Sequence, residues 1–92
     1  MALSHKQLSV AESIKGKVQG LLLLKKKDAK AEYLINKTIN EINGLIDTHE
    51  LSGEKDLLDA VINALIRLKR FGLATSFTRK YKHQGRESGP HP

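Results

Sequence analysis

The sequence predicts an all-α fold, and three observations predict it. Apolar residues recur at spacings of three and four along most of the chain, and no stretch alternates apolar with polar for long enough to make a strand. The only two prolines, Pro90 and Pro92, stand among the last three residues, so nothing upstream is forced to break a helix. The expected architecture is an antiparallel three-helix arrangement over about 9–26, 29–49 and 53–71, plus a short C-terminal helix over about 73–82, assembled as a dimer.

The first helix is marked by Ala11, Ile14, Val18, Leu21 and Leu22. Ser9 with Glu12 forms the expected capping box at its start, with Ser4 and Gln7 a weaker one upstream. Gly16 and Gly20 fall four apart on one face, where small residues would let another helix approach closely. Lys25, Lys26 and Lys27 then read as a connection, and Asp28 is placed to cap the second helix. In that helix, positions 31, 35, 38, 42, 45 and 49 form an unbroken stripe, the strongest periodicity in the chain.

Ser52 and Gly53 provide the next break, and Glu54 and Asp56 suit the positive first turn of a third helix. Leu57, Leu58, Val61, Ile62, Leu65, Ile66 and Leu68 continue the apolar pattern. Arg67, Lys69 and Arg70 complement the negative helix end, with Gly72 as the expected C-cap. Leu73, Ala74, Phe77 and Tyr81 imply the short fourth helix. Residues 83–92 hold no apolar side chain and read as a disordered polar tail, leaving 1–82 as a single helical domain. Adjacent apolar pairs (Leu34 and Ile35, Leu45 and Ile46, Leu57 and Leu58, Leu65 and Ile66) widen the apolar faces beyond one partner's worth. A chain of 92 residues builds only a modest core, and a second copy would cover the surplus.

The net charge of +6 conceals a pattern. Residues 1–27 carry +5, residues 28–59 carry −5 and residues 60–92 carry +6. From Ala60 to Arg86 there is no acid, and the cations there are interleaved with Phe71, Phe77 and Tyr81. In an up, down, up bundle, Lys25, Lys26 and Lys27 would lie at the same pole as Arg67, Lys69 and Arg70. Such a pole steers a polyanion. The competing reading is plainer: basic residues at helix ends serve the dipole and solubility, and aromatics at helical spacing form core.

Other chemistry finds little support. With no Cys there is no disulfide, no thiolate nucleophile and no Cys-based zinc site. His49-Glu50 begins like a zinc-protease helix, but the residue four after His49 is Gly53. No glycine-rich phosphate loop or serine elbow occurs, so the chain is expected to have no catalytic residues, no cofactor and no metal. A helix-turn-helix over Leu45 to Asp59 would place Glu54, Asp56 and Asp59 against phosphates. The longest apolar run, Leu21 to Leu24, is far short of a membrane span, although its junction with Lys25–Lys27 suits an anionic membrane surface. No signal-type apolar region opens the chain, which reads as intracellular, cytoplasmic or nuclear.

The expectation is a non-catalytic nucleic-acid-binding protein, a homodimer, that reads double-stranded RNA or DNA mainly by shape. Its phosphate contacts would be Lys25, Lys26, Lys27, Arg67, Lys69, Arg70, Arg79, Lys80 and Lys82. The alternative is a protein-binding adaptor or inhibitor that acts through its helical face. In plan, a small basic helical protein that pairs with a second copy is similar to the nodaviral suppressors of RNA silencing, which clamp double-stranded RNA between long helices. The likeness is one of architecture and assigns no residue.

Overall fold

A computed structural model describes residues 3–25 and 28–87, with side chains described as far as Tyr81. The described residues form four helices and no strand: α1 His5–Leu22, α2 Ala29–Thr48, α3 Lys55–Arg67 and α4 Phe71–Glu87. The all-helical class is therefore as the periodicity predicts. The chain divides into two compact units, Met1–Leu51 and Ser52–Pro92, each built on one pair of packed helices.

In the first unit α1 starts earlier than expected. The Ser4 hydroxyl accepts from Gln7 N at 3.1 Å while Gln7 Oε1 accepts from Ser4 N at 3.0 Å, so the upstream capping box is the one that forms. Glutamine at the third position serves as well as glutamate, because the reciprocal bond needs an acceptor rather than a charge. Ser9 lies inside the helix, exposed. The helix ends at Leu22 instead of about residue 26, where the Leu23 and Leu24 amides turn back to the carbonyls of Gln19, Gly20 and Leu21. Asp28 caps α2 as expected, its Oδ1 accepting from Ala31 N at 2.9 Å.

The pair is antiparallel. Gln7 Nε2 donates to the His49 carbonyl at 2.9 Å, and Lys17 lies 3.6 Å from Glu41. Val10, Ala11, Ile14, Val18 and Leu21 pack in the interior with Ala31, Ile35, Ile39, Ile42 and Ile46. The α2 stripe is rotated from the one expected, since Ile39 and Ile46 are buried where Thr38, Leu45 and His49 are only half-buried. Gly16 and Gly20 do not serve a close approach: both are exposed, and a Cβ on either would meet nothing within 4 Å.

In the second unit Leu57, Leu58, Val61, Ala64, Leu65 and Leu68 are buried, as are Ala74, Phe77 and Tyr81 of α4. The rings of Phe77 and Tyr81 lie 4.8 Å apart at 59°, a tilted pair inside the core. The turn between the helices is made by Lys69 rather than Gly72. Lys69 has φ 62°, its amide reaches Ile66 O at 2.9 Å, and Arg70 N reaches Leu65 O at 2.8 Å. Those two bonds satisfy the last carbonyls of α3, the usual C-terminal closure around a left-handed residue. With the turn closed by Arg70, Gly72 falls inside α4 as its second residue.

The fourth helix begins at Phe71 and runs to Glu87, beyond the expected end at 82. Residues 83–87 are thus helical where a disordered tail was expected, while 88–92 lie outside the described residues. Polarity alone does not end a helix, and Gln84, Arg86 and Glu87 are good helix formers.

Candidate nucleic-acid interface

The α3–α4 turn and the helix end before it hold three cations within four residues. A left-handed residue between two helices reverses the chain within three residues, so Arg67, Lys69 and Arg70 crowd one corner of the second unit. Arg67 and Lys69 are exposed. Arg70 is half-buried with its Nε inside the fold, and its carbonyl accepts the Ala74 amide at 3.0 Å in the first turn of α4. It is the most withdrawn of the three, and so the least suited to a bidentate phosphate contact.

On α4, Arg79 and Lys80 are exposed. Lys80 Nζ sits 5.4 Å from the centroid of the Tyr81 ring, a cation–π contact that holds its stem against the helix. Arg79 lines a groove of about 310 Å³ together with Ile62, Ile66, Phe71, Ala74, Thr75 and Thr78. The groove's apolar walls are open: Ile66 is 45% and Phe71 58% exposed. Phe71 follows Arg70 in sequence and lines the same groove as Arg79, which stands about two turns further along α4.

Lys25 is exposed just past the end of α1, in the first unit. Lys26 and Lys27 lie outside the described residues; Lys82 is on α4, but its side chain is also outside them. Of the cations expected from sequence, the second unit holds Arg67, Lys69, Arg70, Arg79 and Lys80 with described side chains. Sequence reasoning missed that Ile66 and Phe71 stay open beside them. The signal available was the Leu65 and Ile66 pair, of which only Leu65 is buried, whereas both members of the Leu57 and Leu58 pair are.

The corresponding groove of the first unit is different in charge. It is lined by Ser13, Lys17, Glu41, Gly44, Leu45 and Thr48, and its cation is paired with Glu41. No group of three His, Cys, Asp or Glu side chains that could hold a metal ion occurs among the described residues. Among the described residues, no helix is long and apolar enough to cross a membrane. Compared with protein-family models, curated proteins and solved structures, the chain matches none.

Proposed function

We propose that the chain is a non-catalytic nucleic-acid-binding protein that holds the phosphate backbone of RNA or DNA, double-stranded forms being read by shape. The observation that carries this reading is the acid-free stretch from Ala60 to Arg86, whose seven cations are built on one tight helical pair. Arg67, Lys69 and Arg79 are its exposed phosphate contacts, with Lys25 to Lys27 a second basic segment in the other unit. Arg67 and Arg79 can grip a phosphate bidentately, while the lysines act as point charges. A homodimer belongs to the same proposal: Leu34 stays 39% exposed beside Tyr33 at 64%, apolar surface that a second copy would cover.

The test is a gel-shift titration of Arg67→Glu/Lys69→Glu/Arg79→Glu, three changes at exposed positions that leave the core untouched. Binding is expected to be lost with helical circular dichroism unchanged. For the unaltered protein, log affinity should fall with log salt by about 0.9 per phosphate neutralised. Undiminished shifts in the triple variant, or binding that persists at high salt, would transfer the basic corner to the adaptor reading. A monomer mass by sedimentation at tens of micromolar removes the dimer.

A further inference from the structure

We infer that the groove between α3 and α4 receives an unpaired nucleobase stacked on Phe71, so that the preferred ligand is a nucleic acid with unpaired bases rather than a blunt duplex. This rests on the nucleic-acid reading and narrows it. Three aromatic side chains interleave the basic stretch, and the fold sorts them. Phe77 and Tyr81 are 3% and 5% exposed and occupied with each other, whereas Phe71 is 58% exposed. An exposed aromatic face among cations is the arrangement by which single strands are held, the ring taking a base and the cations its phosphates.

The surroundings of Phe71 fit a base better than an aliphatic protein anchor. Ile62 and Ile66 of α3 and Ala74 of α4 supply apolar walls, and Thr75 and Thr78 line the same groove. The Thr78 hydroxyl donates to Ala74 O at 2.8 Å, which leaves its oxygen lone pairs to accept from a base N–H. Arg79 lines the groove with its side chain exposed, and the exposed Arg67 and Lys69 lie in the helix end and turn that precede Phe71. The residues that line the groove include one cation and no acid, which complements a ligand that brings a negative charge with each flat ring.

Because the chain contains no Trp, Phe71→Trp places a single reporter in the groove. Titration with a single-stranded oligonucleotide is expected to quench that fluorescence, and a blunt duplex of the same length to quench it little. Phe71→Leu, which keeps apolar bulk at an exposed position, should lower single-strand affinity about 5- to 150-fold, the worth of one stacked base, and leave duplex affinity where it was. If Phe71→Leu binds single strands as tightly as the unaltered protein, or emission from the introduced indole ignores a bound strand, stacking is overturned while phosphate binding stands. If the unaltered protein binds neither form, the nucleic-acid reading falls and the inference with it. A groove engaged by an apolar protein segment instead would show the indole emission blue-shifted by that segment and untouched by any oligonucleotide.

Discussion

At the end of α2 the residue in the left-handed region is Glu50, φ 55°, and at the end of α3 it is Lys69, φ 62°. The bonds around them correspond: Leu51 N reaches Ile46 O at 2.9 Å in the first unit, and Arg70 N reaches Leu65 O at 2.8 Å in the second. The next residue differs between the two turns. Leu51 is fully buried against the helix it closes, and Arg70 is half-buried at the edge of a cationic corner. The first unit is tied by a capping box, an Asp28 cap and a Gln7–His49 bond. The second has no side-chain cap at Glu54, and it leaves Ile66 and Phe71 open beside its turn, as the first leaves Tyr33 and Leu34 open along α2. One backbone device thus closes two helices, and the residue that follows it is buried at one end and half-buried at the other.

The largest effects should come from testing which member of an apolar pair is core. Leu65→Ala empties a position with no exposure and is expected to cost about 2–5 kcal/mol in urea denaturation. Ile66→Ala, one residue on and 45% exposed, should cost a minor fraction of that. The first unit repeats the contrast with Ile46, fully buried, and the half-buried Leu45. Equal losses at Leu65 and Ile66 would mean that the α3–α4 groove is closed in solution.

Intermediate effects separate the capped helix from the uncapped one. Asp28→Ala removes the acceptor for Ala31 N and should destabilise by about 1 kcal/mol. Glu54→Ser supplies α3 with the side-chain acceptor it lacks and should stabilise by a similar amount. Thermal melts of the two variants are expected to move in opposite directions, by about 4–8 °C for each kcal/mol in a chain of this size. A melt unmoved by Glu54→Ser would indicate that the α3 amides already have partners.

Helix number and order were legible because periodicity reports which face is apolar, and the apolar faces here are long. The errors sit at the ends. Gly72 was a plausible cap by residue type, yet a bulky Lys69 takes the left-handed position because the bonds to Leu65 and Ile66 fix the turn there. The basic character of the α3–α4 segment could be read directly from the stretch without acids. The open groove could not: Phe77 falls on the expected α4 face with Ala74 and Tyr81, but Phe71 lies outside the expected helix, which begins two residues earlier than about 73. The rotation of the α2 stripe has the same origin: Thr38 and Ile39 both fit a helical period, and only packing against α1 chooses Ile39.

The smallest effect, at Lys69, discriminates when it is set beside Glu50, since the pair compares the two turns directly. A left-handed L-residue costs roughly 1–2 kcal/mol, which glycine relieves at an entropic cost of about 0.5–1 kcal/mol. By backbone alone, Glu50→Gly and Lys69→Gly should gain equally. The helix dipole separates them: an acid at a C-terminus is unfavourable and a base favourable, each by about 0.3–1 kcal/mol at an exposed site. Glu50→Gly is therefore expected to raise stability by about 1 kcal/mol, and Lys69→Gly to leave it nearly unchanged, in parallel urea titrations. Lys69→Gly should in addition reduce the salt slope of nucleic-acid binding by about 0.9, one phosphate contact, while Glu50→Gly leaves that slope alone. Equal slopes for the two variants would place Lys69 outside the phosphate contacts and reduce its role to the turn it closes.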